Sequence, residues 1–556
     1  MARNIYQSPY PTPSVPTDVS VSQFLLRSDP DDTHPDVVVL ADFDAPEERF
    51  VTYGGIRLNA SLDAATLRNK YGLHQNDVVC IYGFNSAYWA SLAHATLWAG
   101  GCFWQDSGIN PLATSFELVH YFQIAQPKAV AVDASLLGNV QDACKKLSIS
   151  PHLIIIDDGT PSKVGYDIYP LDFRDQTGSI SPFDLSAKDN RTQTAAICFS
   201  SGTSGPPKGV VMSHHNLLAQ IMAIRATNPF LHSSRSREVF FPSFAHVYGL
   251  VSAVLVPAWV GSYLQPMKRF DYMQYLQRCS EIRATVLRLV PTAAVRMVKD
   301  PEVKRLDLTS VQAVMCSGAA LSEETITGLK EILRSSCGIL NGYGMTEGTV
   351  TLLRESRQDK GDSVGRLSAG VSARVVDDAL NDVRPGAEGE CLVKGPSVFL
   401  AYKGNEKATR EAKTEDGWLK TGDIVRVDDD GFFFLTGRKK ELIKYHGNQI
   451  SPVELEAVLL TNAEVLDAGV CGVFDKKLGT EIPVGFVKLT SECSDEDQNI
   501  TLQSIRAFVN SRVAPYKKFR KPLISVKELP RNSSGKLIRK KLEIMAKREG
   551  FIESKL

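Results

Sequence analysis

The chain has 556 residues, of which 63 are basic, 63 are acidic and 43% are hydrophobic. This length is too great for one ordinary core, so we expect two or more domains. The balanced charge gives no reason to expect a nucleic-acid or membrane-surface partner, and the hydrophobic content excludes an extended disordered protein. The ten cysteines are scattered without a CxxC pair, which argues against a metal cluster or a disulfide framework and favours a reducing compartment.

Neither a secretory leader nor a membrane span is predicted. Residues 1–20 are rich in proline and polar residues and lack the apolar core of a signal peptide. The most apolar window, residues 249–264, contains Pro257 and is too short to span a bilayer comfortably. We therefore expect a soluble intracellular protein.

Through most of the chain, short apolar runs alternate with longer helical patterns. Short apolar runs of this kind are typical of buried strands, and their alternation with helices predicts α/β layers. The strand-like runs are residues 77–82, 129–132, 153–156, 195–199 and 285–289.

The segment SSGTSGPPKGV, residues 200–210, concentrates glycine and hydroxyl side chains around Lys208. Such a loop offers backbone N–H groups and hydroxyls to anionic oxygen, and the lysine adds a positive charge. Its spacing departs from both the P-loop and the GxGxxG fingerprint. On its own, the segment could equally be a flexible surface turn. Its position between two predicted strands favours a phosphate site.

The pattern changes near residue 430. The acidic run ending in glycine at residues 428–431 predicts a tight turn, followed by a strand over 432–435. A basic segment and a smaller α+β pattern come next, so we place a domain boundary near Gly437. Beyond it we predict strands at 470–473 and 484–489, a helix over 453–460 begun by Ser451 and Pro452, and a helix capped by Thr501 whose apolar face carries Leu502, Ile505, Phe508, Val509 and Val513.

Four further motifs combine rings, hydroxyls, carboxylates and cations. Each alone could be a turn or a solvated basic face, but their joint occurrence in this order is very unlikely by chance. They are NGYGMTE at 341–347, WLKTGD at 418–423, GRKKELIKYHGNQISPVELE at 437–456 and PRNSSGKLIRKKL at 530–542.

With these motifs the chain resembles the adenylate-forming superfamily of acyl-CoA synthetases, adenylation domains and firefly luciferase. Within it the sequence is most similar to 4-coumarate–CoA ligases and their peroxisomal relatives. The resemblance implies an α/β fold in two parts. Residues 1–436 would form a large N-terminal domain of several subdomains with layered α/β sheets, which binds ATP and the acid. Residues 437–556 would form a small mobile α+β lid.

The resemblance also implies a nucleotide site. Tyr343 would stack near adenine, Thr346 would touch the α-phosphate, and Asp423 would bind the ribose hydroxyls with help from Arg438. Glu347 would coordinate Mg²⁺. The β- and γ-phosphates would be held by Ser200, Ser201, Gly202, Thr203, Ser204, Gly205 and Lys208, and the nucleotide-binding stretch around Tyr343 includes Gly342 and Gly344.

An acyl pocket follows from the same resemblance. The run CSGAAL at 316–321 matches the family's SGAAPL, which borders adenine and the acyl pocket. His246 matches the histidine that guards the acyl site, although a lone histidine in an apolar run is more often a satisfied core residue. The lining residues would be Tyr248, Ser252, Gly318, Ala319 and Val350.

The lid residues would serve catalysis and domain rotation. Lys536 matches the lysine that bridges the carboxylate and the α-phosphate in the family. The alternative interpretation is that Lys536 is only one more lysine of a basic tail. Lys440 matches the hinge about which the lid rotates. Lys444, Gly447 and Gln449 match residues of the nucleotide and thioester steps.

The chain ends in Ser554-Lys555-Leu556, the tripeptide that a peroxisomal import receptor reads. The alternative is a chance ending, but the basic helical pattern before it would leave the tail exposed. We favour the peroxisomal address.

Together these features predict a peroxisomal carboxylic acid–CoA ligase that uses ATP, Mg²⁺ and coenzyme A. A luciferase-like enzyme that oxidises the acyl-adenylate, or a stand-alone adenylation module that loads a carrier protein, remain alternatives. The sequence leaves the acid open among aryl-propenoates, medium-chain fatty acids and specialised-metabolite precursors.

Overall fold

The computed structural model describes residues 4–105, 113–157, 165–174, 178–200, 207–317, 321, 323–352, 360, 363–439, 441–445, 448–475, 478, 480–490, 495–513, 515–531 and 537–548. These residues form a mixed α/β protein with several sheets, as the sequence predicts. In this part of the chain, no helix combines the length and the apolar character that crossing a membrane requires.

One sheet is antiparallel throughout and pairs a strand at the N-terminus with four strands from a distant part of the chain. Its strands, in the order in which they lie side by side, are β1 (Tyr6–Gln7), β18 (Ser372–Val376), β19 (Gly389–Lys394), β21 (Leu419–Val427) and β22 (Phe433–Arg438). The predicted turn at 428–431 joins β21 to β22, and Gly431 adopts a φ of +79° there, a conformation that favours glycine.

A four-stranded sheet combines two strands from near the N-terminus with two from the middle of the chain. Its strands are β2 (Val38–Ala41), β3 (Phe50–Thr52), β11 (Arg237–Phe240) and β12 (Tyr263–Pro266). The pairs β11–β12 and β12–β2 are parallel, whereas β2 and β3 are antiparallel.

The sheet with eight strands confirms four of the predicted apolar runs. Its strands are β4 (Val78–Tyr82), β5 (Cys102–Gln105), β6 (Ala129–Asp133), β7 (His152–Ile156), β8 (Asp167–Tyr169), β9 (Thr194–Ser200), β10 (Lys208–Ser213) and β20 (Ala401–Tyr402). The strands from β9 through β5, β4, β6 and β7 to β8 are parallel, and β10 and β20 extend the β9 edge in antiparallel pairs. Every residue of β4 and β6 is buried, as expected for a parallel sheet covered on both faces.

A five-stranded sheet contains the fifth predicted run. Its strands are β13 (Val286–Leu289), β14 (Ala313–Ser317), β15 (Gly338–Met345), β16 (Gly348–Leu352) and β17 (Arg366–Leu367). The first three are parallel, with Ser317 opposite Gly342, so their carboxyl ends lie side by side. In open α/β sheets, ligands bind outside such carboxyl ends.

The helices cover these sheets. Ser20, Thr114 and Ser213 each begin a helix with a reciprocal capping box, which satisfies backbone N–H groups of the first turn. The helices of the large part are α1 (Val21–Arg27), α2 (Tyr53–Asn69), α3 (Ala87–Trp98), α4 (Ser115–Ala125), α5 (Leu137–Leu147), α6 (His214–Thr227), α7 (Val247–Gly249), α8 (Val256–Val260), α9 (Tyr272–Glu281), α10 (Pro291–Lys299), α11 (Glu323–Ile332) and α12 (Glu406–Ala412).

The most apolar window of the sequence is a buried helix. A π-helical turn, Leu250–Leu255, connects α7 to α8, and each of its residues is buried. This helix packs in the main hydrophobic core, which also contains Trp89, Phe103 and Phe244. The apolar character of residues 249–260 therefore reflects core packing.

The C-terminal part forms the smaller α+β unit that the sequence predicts. Its elements are the strands β23 (Ile443–Tyr445), β24 (Asn448–Ile450), β25 (Val465–Asp475), β26 (Thr480–Leu489) and β27 (Ile524–Ser525) and the helices α13 (Pro452–Leu460), α14 (Asp495–Asn510) and α15 (Arg539–Arg548). One cluster of buried side chains includes Leu455, Val470 and Ile505, and a second packs α15, through Leu542, and Ile524 of β27 against Phe486.

Two details of helix α14 differ from the sequence-based expectation. Thr501 lies inside α14, which already begins at Asp495, so Thr501 is not its cap. The acidic residues of the sequence at 495–497 suit a helix N-terminus, because carboxylates interact favourably with the helix dipole there. Val513 lies beyond the end of α14. Gly437, near which we place the domain boundary, lies within β22 opposite Ile424.

Candidate active site

The predicted phosphate loop connects two paired strands. In the β9–β10 hairpin, Ser200 lies directly opposite Lys208. Next to Lys208, the backbone oxygen of Pro207 lies 2.9 Å from Nε2 of His120 on α4. The strand pairing thus holds both ends of the loop, as the sequence predicts, whereas Ser201, Gly202, Thr203, Ser204 and Gly205 lie outside the described residues.

Glu347 lies in the turn between β15 and β16 and is 5% exposed. Its Oε1 accepts a 2.8 Å hydrogen bond from the hydroxyl of Tyr402, and its backbone oxygen accepts one of 2.9 Å from the N–H of Phe399. Burial, reinforced by the Glu347 carboxylate, raises the pKa of Tyr402 well above its usual value. Tyr402 therefore stays a hydrogen-bond donor to this carboxylate.

Tyr402 also connects Glu347 to the hairpin. The ammonium of Lys208 lies 4.9 Å from the centroid of the Tyr402 ring, within the range of a cation–π interaction. Strand β20 holds the ring there because Tyr402 pairs with Val210 of β10. The predicted metal ligand and the predicted phosphate-binding lysine thus contact the same aromatic side chain.

A second constellation surrounds Asp423, which is 3% exposed. Its Oδ2 accepts a 2.6 Å hydrogen bond from the hydroxyl of Tyr343, and its Oδ1 lies 3.0 Å from Nε of Arg438. Asp423 and Arg438 are directly opposite in the β21–β22 pair. Burial, reinforced by Asp423, raises the pKa of Tyr343 well above its usual value. The Tyr343 hydroxyl and the Arg438 guanidinium thus meet at the Asp423 carboxylate.

Strand β15 joins the two constellations. Tyr343 lies in the strand between Gly342 and Gly344, and the β15–β16 register shifts between Tyr343 and Gly344. Four residues after Tyr343, Glu347 follows the buried Thr346 in the turn. One strand and its turn therefore place the predicted adenine, α-phosphate and metal-binding residues together.

His246 caps α7 at the entrance to the buried helix. Its Nδ1 accepts a 3.1 Å hydrogen bond from the backbone N–H of Tyr248, and the side chain is half-buried. An Nδ1 that accepts must be unprotonated, which leaves the proton of a neutral ring on Nε2. Ser252 lies on the π-helical turn and is buried.

The hydroxyl of Tyr248 belongs to a buried polar cluster that the sequence did not reveal. It accepts a 2.5 Å hydrogen bond from Nη1 of Arg288, whose guanidinium forms a bidentate pair with Glu238 at 2.6 and 3.2 Å. Burial alone would lower the pKa of Arg288, but Glu238 and Tyr248 raise it above its usual value. The available signal was a charged residue between apolar neighbours in β13, Arg288, and a buried carboxylate in β11, Glu238.

The remaining predicted site residues either lie in a different sheet from Tyr343 and Asp423 or fall outside the described residues. Lys444 and Gln449 are directly opposite in the β23–β24 hairpin, a different sheet from those that carry Tyr343 and Asp423. For Val350, Lys444 and Gln449 the structure describes the backbone only. Outside the described residues are Gly318, Ala319, Lys440, Gly447, Lys536 and the tripeptide Ser554-Lys555-Leu556.

Sequence and structure comparisons show which family the chain belongs to. The family described as "AMP-binding enzyme" matches residues 29–403, and its C-terminal domain matches residues 454–536. The chain is 33% identical over 485 residues to the peroxisomal OPC-8:0-CoA ligase 1 of Arabidopsis thaliana, with 85% of each chain covered. It is 30% identical over 554 residues to the probable 4-coumarate–CoA ligase 1 of Dictyostelium discoideum, with 97% of each covered.

A solved structure shares the fold. The benzoate CoA ligase from Burkholderia xenovorans LB400 superposes with a TM-score of 0.79 at 25% identity, covering 94% of this chain and 99% of that one. The family resemblance seen in the motifs is thereby confirmed. The chain belongs to the AMP-binding enzymes, the adenylate-forming superfamily.

Proposed function

We propose that the protein is an ATP-dependent carboxylic acid–CoA ligase. It forms an acyl-adenylate with release of pyrophosphate and then transfers the acyl group to the thiol of coenzyme A. The observation that carries this proposal is the continuity of β15 and its turn, in which Tyr343 bonds to Asp423 and Glu347 bonds to Tyr402. The named relatives, which are CoA ligases, support the same reaction.

The nucleotide would lie along this strand. Tyr343 would border adenine, and Asp423 with Arg438 would bind the ribose hydroxyls. Thr346 would contact the α-phosphate. Lys208 and the loop that it closes would hold the β- and γ-phosphates, since the strand pairing of Ser200 with Lys208 fixes both loop ends.

Glu347 would hold Mg²⁺ together with the ATP phosphates. Mg²⁺ is commonly bound by one or two carboxylates plus substrate phosphates, with water completing its shell. Glu347 fits this mode because its buried carboxylate is hydrogen-bonded to Tyr402, whose ring also lies beside the ammonium of Lys208. Among the described residues, no group of three or more His, Cys, Asp or Glu side chains could hold a metal ion. An ion at Glu347 would therefore depend on the ATP phosphates as further ligands. The ion would neutralise phosphate charge.

The first step requires fixed cations. A carboxylate must approach the α-phosphorus of ATP, and two unit charges 4 Å apart repel by about 4 kcal/mol at an effective dielectric of 20. Lys536 would bridge the carboxylate and the α-phosphate, where charge gathers in the transition state. The proposal gives residues 1–436 the ATP and acid sites and residues 437–556 the role of a mobile lid that brings this lysine in.

The second step would use another face of the lid. Rotation about Lys440 would withdraw Lys536 and bring Lys444, Gly447 and Gln449 to the adenylate. Gly447 would leave space for the approaching thiol, because glycine has no side chain. His246 would guard the acyl site between the steps, beside a pocket lined by Tyr248, Ser252, Gly318, Ala319 and Val350.

The reaction would take place in peroxisomes. The Ser554-Lys555-Leu556 ending supports this location, because it would serve as a peroxisomal address for an import receptor. One relative, from Arabidopsis thaliana, is named a peroxisomal ligase.

A panel of aryl-propenoic, medium-chain fatty and other carboxylic acids tests the proposal. Each acid is incubated with ATP and Mg²⁺, and pyrophosphate release and thioester formation are followed with and without coenzyme A. We expect thioester only when coenzyme A is present. Consumption of O₂ with light or an oxidised product, or acyl transfer to a carrier protein alone, would replace the proposal by one of the two alternatives.

A further inference from the structure

Residues 399–403, here called the connector, join the turn that carries Glu347 to the β9–β10 hairpin. On one side, the backbone N–H of Phe399 donates to the backbone oxygen of Glu347 at 2.9 Å, and the hydroxyl of Tyr402 donates to its Oε1. Two further backbone N–H groups donate to backbone oxygens of strand β10: Leu400 to Val211 at 2.9 Å and Lys403 to Gly209 at 2.7 Å. The connector thus contacts both the predicted metal ligand and the strand that begins with Lys208.

Lys413 binds the connector through its side chain. Its ammonium donates to the backbone oxygens of Phe399 at 2.9 Å and of Leu400 at 3.0 Å, and it lies 4.6 Å from the centroid of the Phe399 ring. Lys413 directly follows helix α12, in which the hydroxyl of Thr409 accepts a 2.9 Å hydrogen bond from the backbone N–H of Tyr402. The helix and the lysine therefore hold both halves of the connector.

A lysine is a costly choice at this position. Burial lowers the pKa of Lys413, so the surroundings disfavour its charged form, and no carboxylate among the described residues forms an ion pair with it. A cation that is taken out of water without a counter-charge costs stability unless hydrogen bonds compensate. Because an uncharged side chain would avoid this cost, the bonds from Lys413 to the connector call for an explanation besides stability.

The connections of the connector provide that explanation. In the proposed reaction, the ATP phosphates would meet Glu347 through Mg²⁺ and Lys208 directly. The bonds of the connector reach Glu347 on one side and strand β10 on the other, so its position sets the spacing between these two side chains. A misplacement of about 1 Å can cost about 100-fold in rate. Loss of the support from Lys413 would therefore weaken both contacts with the phosphates together.

We propose that Lys413 is a positioning residue of the nucleotide site: its ammonium holds the connector, which sets the spacing between Glu347 and Lys208. The role is one of support, because Lys413 hydrogen-bonds to the connector and packs on its Phe399 ring. The inference rests on the proposed ligase function and adds to it a residue that the sequence motifs did not include.

The variant Lys413→Met tests this role in the full chain, because it keeps an unbranched side chain of similar length and removes the ammonium. The binding of Mg·ATP is measured by calorimetry, and pyrophosphate release is measured with the acid of the panel that reacts fastest. We expect the dissociation constant and the KM for Mg·ATP to rise about tenfold or more, as for the loss of a residue that supports a metal ligand. The KM values for the acid and for coenzyme A should stay near those of the wild type.

Two matched variants control this measurement. Lys413→Arg keeps a cation with several N–H donors and should bind Mg·ATP more tightly than Lys413→Met does. Lys407→Met removes a lysine of the same helix, α12, whose side chain is 84% exposed, and should leave the affinity for Mg·ATP unchanged. An arginine variant that binds Mg·ATP no better than the methionine variant would contradict the role of the donors.

A double-mutant cycle shows whether Lys413 acts through the connector. Tyr402→Phe removes the hydroxyl bond from the connector to Glu347. If Lys413 acts by holding the connector, both substitutions disturb the same contact with Glu347. Residues that act through one network have non-additive effects, so the loss of Mg·ATP affinity in the combined variant should be smaller than the product of the two single losses.

The outcomes separate this inference from the reaction itself. Wild-type affinity for Mg·ATP in Lys413→Met, even with a lowered unfolding temperature, or fully multiplicative losses in the cycle would overturn the positioning role and leave the ligase function intact. Failure of every acid to release pyrophosphate would overturn the ligase function, while the binding measurement would still decide on Lys413. Failure of the wild type to bind Mg·ATP would overturn both. If Lys413→Met does not fold, as judged by its thermal unfolding, Lys413→Gln, which keeps an amide donor, decides by the same measurements.

Discussion

The hydroxyl of Tyr402 donates a 2.8 Å hydrogen bond to Oε1 of Glu347 while the Tyr402 ring lies beside the Lys208 ammonium. Residues from separate parts of the sequence, Glu347 and Lys208, thus contact one side chain. This arrangement predicts a positioning role for Tyr402: it would orient the carboxylate that would hold Mg²⁺ and support the lysine of the predicted phosphate loop.

Removing that hydroxyl should weaken metal binding more than catalysis at saturation. Tyr402→Phe keeps the ring beside Lys208 but loses the hydrogen bond to Glu347. Loss of an outer-shell partner typically costs about 10–100-fold in metal affinity or activity. We therefore expect the Mg²⁺ concentration for half-maximal pyrophosphate release to rise, with substantial recovery at high Mg²⁺. Tyr263→Phe, which affects a hydroxyl bonded to Gln265, is the control; identical Mg²⁺ curves for both variants would refute the positioning role.

Replacing the carboxylate itself should have a larger effect. Glu347→Gln preserves the volume and removes the charge that would hold Mg²⁺, so adenylation should fall steeply at every Mg²⁺ concentration. The measurement is pyrophosphate release over a titration of Mg²⁺. Near-normal release with an unchanged magnesium requirement would show that Glu347 is not the metal ligand.

The two half-reactions should respond to different lid residues. Lys536→Ala should cost about 3 kcal/mol or more of transition-state stabilisation in adenylation, on the scale of a removed oxyanion donor. Given presynthesised acyl-adenylate and coenzyme A, the same variant should form thioester at nearly the wild-type rate. Gly447→Trp should still form adenylate but block the thiol. Each half-reaction is measured separately in both variants, and equal damage to both steps in each would rule out an alternating lid.

The C-terminal tripeptide should direct location without affecting catalysis. Deleting Ser554, Lys555 and Leu556 should leave kcat and KM unchanged and move a fluorescent fusion, tagged at its N-terminus, from peroxisomes to the cytosol. Continued import of the truncated fusion would show that another segment carries the address.

Acid should destabilise the fold through buried histidines. Burial lowers the pKa of His94 to about 4 and that of His214 to about 3. Unfolded histidine has a pKa near 6.5, so between about pH 6.5 and 4 the unfolded state binds protons that the folded state refuses. The free energy of unfolding should therefore decrease as the pH falls, approaching about 1.4 kcal/mol per pH unit for each histidine once the pH is well below 6.5.

A substitution isolates one of these groups. Nε2 of His94 lies 3.1 Å from the backbone oxygen of Val254. The substitution His94→Gln keeps an N–H donor for this oxygen and removes the titrating ring. Its thermal unfolding midpoint should depend less steeply on pH between 6.5 and 4 than that of the wild type. His34→Gln, at an exposed position, should not alter the dependence. Parallel curves for His94→Gln and wild type would contradict the linkage.

Local sequence patterns predicted several of the buried strands and one helix of the C-terminal part. The run at 195–199 is β9, and the helix begun by Ser451 and Pro452 is α13. These succeed because alternation, apolar runs and capping residues act over a few positions. The start of α14 was misplaced because Thr501 looked like a cap although acidic residues upstream also suit a helix N-terminus.

Long-range pairings were beyond such patterns. Glu238 and Arg288 belong to β11 and β13, and nothing in either strand identifies the other as its partner. Tyr402 belongs to a two-residue strand whose position depends on its pairing with Val210. Both contacts result from how the sheets assemble, which is why the buried Glu238–Arg288 pair and the partner of Glu347 emerged only from the structure.

The position of strand β1 has a consequence for folding during synthesis. Tyr6 pairs with Ala373 of β18 and packs edge-on against Phe433 at 5.9 Å. At ribosomal rates of about 5–20 residues per second, the N-terminal strand would leave the ribosome roughly 20 to 75 seconds before its partner is made. The earliest residues synthesised thus reach their final place among the last, and the sheet that contributes Asp423 stays incomplete until translation has passed the phosphate loop and most of the large domain.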